Sequence, residues 1–240
     1  MVSMKFVLAL PTYNEKENLK ILLPRLIEIL KNIKDWEGEI VVVDDSSPDG
    51  TSEFVEEKMK EYSNLHLVKR KAKSGLGSAY IAGVKYGINV LGADNVFSMD
   101  SDLSHDPDLI PTFLEYASTN DIVIGSRYIK GGDFKNWPWI RKAISRGANI
   151  YGQLILGLKV NDISSGYRCY NALLWKKIGF ENVKTNGYCT LEEILYLGKK
   201  KKARVKEIPL VFVDRTIGET KLTYKEMIKF FTTIIKLRFS

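Results

Sequence analysis

Residues 39–51 read "EIVVVDDSSPDGT". From Ile40 to Val43 the run is apolar and unbroken. Side chains on a strand alternate between its two faces, so a run with no polar member is a strand buried on both. It then ends abruptly in Asp44 and Asp45, ahead of a cluster of turn residues. A strand covered on both faces belongs to a mostly parallel sheet between helical layers. Its charged exit marks the edge where such sheets bind ligands.

The same rhythm extends outward. Strand-like runs fall at 5–10, 65–70, 95–99 and 121–125, and helical stretches at about 15–31, 49–62, 75–90 and 107–117. Asn14 with Glu17 three residues later has the form of a capping box, and Pro24 predicts a kink or a boundary in the first helix. Beyond Arg127 the pattern changes: helical at 140–157, extended at 167–170, helical at 190–199, extended at 205–213 and helical at 224–237. No linker, repeat or low-complexity stretch divides the chain. The expected fold is a single α/β domain with a mostly parallel central sheet flanked by helices.

The 240 residues carry 36 Lys and Arg against 29 Asp and Glu, a formal net charge of +7. A basic surface suits phosphates, nucleic acid or anionic lipid without choosing among them. The two cysteines, Cys169 and Cys189, have neither a metal-ligand spacing nor a close partner, which disfavours a zinc site or a disulfide framework. The apolar run at 6–10 is too short for a signal peptide and meets Pro11 at once, so it reads as the first strand. No apolar run approaches the length of a membrane span.

Four strand exits meet along one edge in this fold: "PTYNE" (11–15), "DDSSPDGT" (44–51), "DSDLSH" (100–105) and "GSRY" (125–128). Asp100 and Asp102, two apart on an extended chain, point the same way and repel unless a cation lies between them. Mg²⁺ or Mn²⁺ is commonly held by one or two carboxylates plus substrate phosphates, so the pair suggests a metal–diphosphate site; the plainer reading is one helix cap and one solvated acid. At the second exit, one aspartate can meet a ribose or base while the other holds the turn. Tyr13 and Glu15 can contact a base, and Asn14 can cap. "KSGLGSA" (73–79) lacks the full dinucleotide-loop spacing and reads as a glycine-assisted helix entry. Among the basic residues, Arg127, Arg141, Arg146, Arg215 and Lys221 suit phosphate oxygens, and Arg215 and Lys221 share a polar loop that can fold over a diphosphate. The last helix carries Tyr224, Met227, Ile228, Phe231, Ile234 and Ile235 on one face with lysines around it, the pattern of a surface-lying or core-facing amphipathic helix.

These segments, with "RKAISRGAN" (141–149), "SSGYRCY" (164–170) and "FVDRTIGETKL" (212–222), resemble the dolichol-phosphate mannose synthases of glycosyltransferase family 2 from about residue 4 to about 235. The resemblance implies a single GT-A (Rossmann-like) catalytic domain over 1–222 and a basic amphipathic helix over 223–240 that contacts a membrane surface or a partner. It implies metal-dependent, inverting transfer of mannose from GDP-mannose to dolichyl or another polyprenyl phosphate. The related alternative is transfer of glucose from UDP-glucose to the same lipid. By position, Pro11, Tyr13, Glu15, Val43 and Asp45 would hold the nucleoside. Asp100, Ser101 and Asp102 would line the sugar–diphosphate site, with Asp102 a ligand of Mg²⁺ or Mn²⁺. Arg127 would face the sugar and phosphates, Arg141 and Ser145 would receive the lipid phosphate, and Arg215 and Lys221 would close over the diphosphate. Asp102, Arg127, Arg215 and Lys221 form the implied catalytic set. The sequence departs from the family pattern at Ser101, where alanine is common, and at Ser104, the candidate second metal ligand beside Asp102, where some relatives have a metal-binding glutamine. The implied setting is the cytoplasmic face of a membrane, reached peripherally or through a small membrane-anchoring subunit, with no nucleic-acid partner.

Overall fold

A computed structural model describes residues 3–187, 189–214 and 224–239. In chain order the elements are β1 (Met4–Thr12), α1 (Lys16–Asn32), β2 (Trp36–Asp44), α2 (Thr51–Lys58), β3 (Leu65–Lys69), α3 (Leu76–Asn89), β4 (Asn95–Ser98), α4 (Ile110–Ala117), β5 (Ile122–Ser126), β6 (Asp133–Lys135), α5 (Trp139–Leu156), β7 (Arg168–Asn171), α6 (Ala172–Ile178), α7 (Thr190–Lys200), β8 (Val205–Pro209), β9 (Val211–Val213) and α8 (Tyr224–Phe239).

Seven strands form the central sheet in the order β3-β2-β1-β4-β7-β5-β8. β7 runs antiparallel to both its neighbours and the other pairings are parallel. From β1 the chain builds outward through β2 and β3, then returns to place β4 on the other side of β1. That reversal opens a crevice beyond the carboxyl ends of β1 and β4. Alternation on the central strands divides the core. Phe6, Leu8, Leu10, Ile40 and Val42 pack with α1, α2 and α4, whereas Val7, Ala9, Val41 and Val43 pack with α3 and the C-terminal helices. Each large aliphatic side chain so buried contributes about 1.5–3 kcal/mol. β6 and β9 pair in a separate two-stranded sheet.

Pro24 marks no boundary, because α1 runs through it. Its place on the exposed face leaves the carbonyl it cannot pair within reach of water. The extended stretch at 205–213 divides at Leu210, where the chain leaves the main sheet for the small one. Among the described residues, no helix is long and apolar enough to cross a membrane.

One buried acid gives the fold a pH dependence. Burial pushes the Glu192 carboxyl up to about 7 against the pull of Arg168, well above an unfolded glutamate near ~4.3. The folded state therefore favours the protonated acid. That preference is fully in force below the unfolded pKa and is lost as pH rises through about 7. Glu192→Gln is expected to exceed the wild type in stability at about pH 8, by up to roughly 3 kcal/mol, with the gap narrowing toward about pH 5. Urea unfolding at the two pH values measures it.

Candidate active site

The first two strand exits are folded against each other. The backbone N–H groups of Asn14, Glu15 and Lys16 donate to Ser47 Oγ, Thr51 Oγ1 and Asp49 Oδ2, at 2.9, 3.3 and 3.1 Å. Side chains of the β2 exit thus satisfy donors at the start of α1, and the expected Asn14–Glu17 capping box does not form. Asn14 instead takes a left-handed φ of 59°, and Glu17 pairs with Lys20 on the surface. The two aspartates divide their work. Asp44 is fully buried and accepts from Thr12 Oγ1, Ser47 N–H and Ser52 Oγ at 3.1, 3.1 and 2.7 Å, which holds the turn. Asp45 faces the crevice beside Arg70, 3.1 Å away, and burial raises its pKa against the pull of that guanidinium.

The crevice is a cleft of about 540 Å³. Pro11, Tyr13, Glu15, Asp45, Asp100, Ser101 and Asp102 all line it. Of the other expected nucleoside residues, Val43 is fully buried in β2 beside Pro11. A larger groove of about 730 Å³ lies beside the first residues of β1 and β2, away from every strand exit. The cleft at the exits has the converging polar groups of a binding site. Gly75, at φ 100°, opens α3 under this cleft, and a Cβ there would stand 2.2 Å from the carbonyl oxygen of Asn186. The glycine segment is a helix entry set by close backbone approach.

The acidic pair departs from the extended geometry expected of it. β4 ends at Ser98, and Leu103 takes a φ of 65°, so Asp100 and Asp102 sit on a bend. Asp102 is nearly buried, and its Oδ1 accepts from Ser104 N–H at 3.1 Å and Ser104 Oγ at 2.5 Å. Ser104 is itself buried and holds the Asp102 carboxylate by that hydroxyl. Ser101 Oγ donates to the Pro11 carbonyl at 2.9 Å, tying this bend to β1. Asp100 accepts from the Tyr80 hydroxyl, and its N–H donates to His105 Nδ1 at 3.1 Å. Burial, reinforced by the Asp100 charge, drives the Tyr80 pKa far above its ordinary range, so the hydroxyl remains a donor. Burial also lowers the pKa of His105 and favours its neutral form. Among the described residues, no group of three or more His, Cys, Asp or Glu stands ready to hold a metal ion. Two carboxylates at a cleft fit a divalent ion that takes its remaining oxygens from a bound phosphate and water.

The implied cations are placed differently. The Arg127 guanidinium is turned into the protein, donating from Nε and Nη2 to Asp162 at 2.7 Å each and from Nη2 to Ser164 Oγ at 2.8 Å. It does not line the cleft. Arg141 and Ser145 lie one turn apart on α5, outside the cleft lining. Arg141 pairs with Asp214 at 2.7 Å and lies 3.8 Å over the Trp137 ring, and Ser145 accepts from the Tyr128 hydroxyl at 2.6 Å. Arg215 and Lys221 lie outside the described residues. Two other lysines reach the cleft: Lys73, 4.1 Å above the Tyr13 ring, and Lys229, from α8. Lys229 carries no signal in the sequence, being one of several lysines on a helix. His105 and Tyr80 likewise carry no distinguishing signal there.

A doubly covered sheet with an acidic cleft at its switch point is the framework of the GT-A fold, and the family match makes the chain a glycosyltransferase. Residues 8–179 match the glycosyl transferase family 2 profile, and the chain belongs to that family. Over 220 residues it is 38% identical to an undecaprenyl-phosphate mannosyltransferase of Micrococcus luteus, covering 92% of this chain and 88% of that one. It is 36% identical to a polyprenol monophosphomannose synthase of Mycolicibacterium smegmatis, over 89% of this chain and 79% of that one. It is 40% identical to a dolichol-phosphate mannosyltransferase of Pyrococcus furiosus, over 98% of this chain and 64% of the longer relative. Among solved structures, glucosyl-3-phosphoglycerate synthase from Mycobacterium tuberculosis, in complex with Mn²⁺, UDP and glucosyl-3-phosphoglycerate, superposes with a TM-score of 0.68 at 16% identity, over 98% of this chain and 78% of that one. A mannosyltransferase from Pyrobaculum calidifontis, in complex with GDP-Man and Mn²⁺, gives 0.60 at 18%, over 98% and 63%. These two likenesses establish the fold.

The burial of Arg127 gives it a structural role that can be measured apart from turnover. Asp162→Asn leaves its guanidinium without a full counter-charge and is expected to lower unfolding stability by roughly 3–5 kcal/mol. Equilibrium denaturation checks this without any substrate.

Proposed function

We propose that this glycosyltransferase moves mannose from GDP-mannose to dolichyl or another polyprenyl phosphate, releasing GDP and forming a β-linked mannosyl phosphate lipid. The observation that carries the reading is the set of relatives at 36–40% identity over 89–98% of the chain, each named for mannosyl transfer to, or phosphomannose synthesis on, a polyprenol-type lipid. The acidic cleft supports it by its fit to a donor diphosphate with a divalent ion.

The chemistry asks little of a general base. A phosphate monoester has a second pKa near ~6 and is largely ionised at neutral pH, so the acceptor arrives as its own nucleophile. Its oxygen attacks the anomeric carbon, the bond to the donor diphosphate breaks, and in-line displacement inverts the configuration. The protein's task is to bring two anions together and orient them. Tyr13, Glu15 and Asp45 would hold the nucleoside, with Val43 beneath. Asp100, Ser101 and Asp102 would meet the sugar and diphosphate. Mg²⁺ or Mn²⁺, held by Asp102 with Asp100 and the donor phosphates, would offset the charge gathering on GDP. Ser104 would act through its grip on Asp102. Arg215 and Lys221 would close over the diphosphate, Lys229 would add positive charge at the cleft, and Arg127, paired with Asp162 outside the lining, would act through the fold. Arg141 and Ser145 would take the lipid phosphate.

The acceptor is a membrane lipid, and the surface beside its proposed site suits a membrane. α5 contains no acidic residue, carries Arg141, Lys142 and Arg146, and exposes Trp139, Ile140, Ile144 and Leu154. α8 exposes Ile228, Phe231, Ile235 and Phe239 while burying Ile234 and Leu237. Tyr151 and Phe231 join the two helices, ring centroids 4.9 Å apart. An apolar face rimmed by cations matches an anionic lipid surface. We place the enzyme peripherally on the cytoplasmic face, with a small membrane-anchoring subunit as its natural partner.

The direct test mixes purified protein, detergent-dispersed polyprenyl phosphate, Mn²⁺ or Mg²⁺, and labelled GDP-mannose or UDP-glucose, then follows label into the lipid fraction. Label from GDP-mannose is expected; label from UDP-glucose alone would make this a glucosyl transferase, and none from either donor sinks both. Asp102→Ala should fall to background, whereas Arg141→Ala should raise the KM for lipid more than that for donor. For the membrane face, Ile144→Asp combined with Leu154→Asp should reduce co-sedimentation with phosphatidylglycerol vesicles several-fold, and unchanged pelleting would remove α5 from the contact.

A further inference from the structure

We infer that Tyr80, His105 and Gly166 are positioning residues that aim the Asp100 carboxylate into the donor cleft, at the divalent ion and diphosphate. The inference rests on the donor reading above and goes beyond it, because none of the three was assigned a part in the site.

Asp100 is the more exposed of the acidic pair, its side chain 28% accessible, and a carboxylate at the end of a strand can rotate about two bonds. Three elements remove that freedom. From α3, the Tyr80 hydroxyl donates to Oδ1. Beyond Asp100 in sequence, His105 Nδ1 accepts the Asp100 backbone N–H at 3.1 Å. Because Nδ1 accepts that bond, the ring N–H is on Nε2, which stands 3.8 Å from Oδ2 and turns a positive dipole edge toward it. The ring is itself fixed, stacked on Tyr167 with centroids 5.0 Å apart and edge-on to Phe212 at 5.8 Å. From the loop before β7, Gly166 closes on the junction. A Cβ added there would lie 3.2 Å from the Tyr80 hydroxyl oxygen, 3.4 Å from Asp100 Oδ2 and 3.4 Å from His105 Cε1.

That glycine is the observation that separates aiming from mere satisfaction of a buried hydroxyl. A tyrosine needing only an acceptor could pair with any backbone carbonyl. Here it meets an acid that lines the cleft, at the one point where a histidine and a side-chain-free residue also converge. One hydroxyl donor and the facing edge of the imidazole hold the orientation of the carboxylate before a ligand arrives. Asp102 has a parallel arrangement, with Ser104 supplying both its N–H and its hydroxyl. Each acid of the pair is thus oriented by its own surroundings, and the site is preorganised for a cation.

The test uses Mn²⁺ with GDP as the probe and needs no turnover. Free Mn²⁺ is followed by electron paramagnetic resonance during titration of the full chain, for wild type, Tyr80→Phe, His105→Asn and Gly166→Ala. Tyr80→Phe removes one oxygen and keeps the ring. His105→Asn keeps an acceptor for the Asp100 N–H. Gly166→Ala crowds the junction and deletes nothing. Mn²⁺–GDP affinity is expected to fall about tenfold for Tyr80→Phe, the size of one hydrogen bond to a charged group. Several-fold losses are expected for the other two, with melting temperatures within a few degrees of wild type. Each variant that keeps the wild-type near-UV spectrum carries the test by itself. Folded variants that bind Mn²⁺–GDP as the wild type does would overturn the inference, since a structural role alone would move only stability. A wild type that binds no Mn²⁺–GDP overturns the donor reading instead, and the inference falls with it.

Discussion

The buried ion pair between Arg127 and Asp162 holds the working edge of this protein together. A guanidinium withdrawn from water is tolerated only with a close counter-charge and filled hydrogen bonds, and here it has both. The pair joins the exit of β5 to the loop before β7. Arg168 fastens the same loop from inside, donating to the carbonyls of Ile163, Ser165 and Leu191. Asn149 then ties α5 to it, accepting from the Ile163 N–H at 2.8 Å and donating to Ser164 Oγ at 3.0 Å. Gly166 lies between these fastenings and the acidic pair. The β5 exit, the loop before β7 and α5 are therefore fastened to one another, and through Gly166 that loop reaches Asp100.

Electrostatics explains why that rigidity is needed. The cleft collects Glu15, Asp45, Asp100 and Asp102 in a chain whose net charge is +7. Four acids gathered in one concavity repel, and each must be restrained by the fold. Asp45 is held beside Arg70, Asp102 by Ser104, and Asp100 by Tyr80. Glu15 accepts from Asn18 Nδ2 at 2.6 Å. Such a site gains most from a ligand that brings its own cation, which is how nucleoside diphosphates are commonly bound.

Much of this was legible in the residue order. The valines of β2 announced a doubly covered strand, and the polar exits of β1, β2 and β4 do converge. Legibility failed where the partner lies far along the chain. Arg127 looks like a ligand for phosphate because nothing near it in sequence reveals Asp162, 35 residues away. The apparent capping box at Asn14 and Glu17 is a local pattern displaced by tertiary caps from Ser47, Asp49 and Thr51. Tyr80 in "GLGSAYIAG" is indistinguishable by pattern from a core aromatic, and it is one, except for the oxygen at its tip. Spacing reports which way a side chain points on its own element. It cannot report what the next element brings to meet it.

α8 shows the same limit and makes a link that neither half of the chain displays alone. Its outer stripe, Ile228, Phe231, Ile235 and Phe239, stays exposed, while Ile234 is wholly buried against the core. Neighbouring residues on a helix point about 100° apart. Lys229, beside Ile228, accordingly turns to the cleft and lines it. A cation of the cleft and the exposed apolar stripe are thus parts of one rigid rod. The face of α8 that meets the cleft and the face left bare are fixed relative to each other by the helix itself.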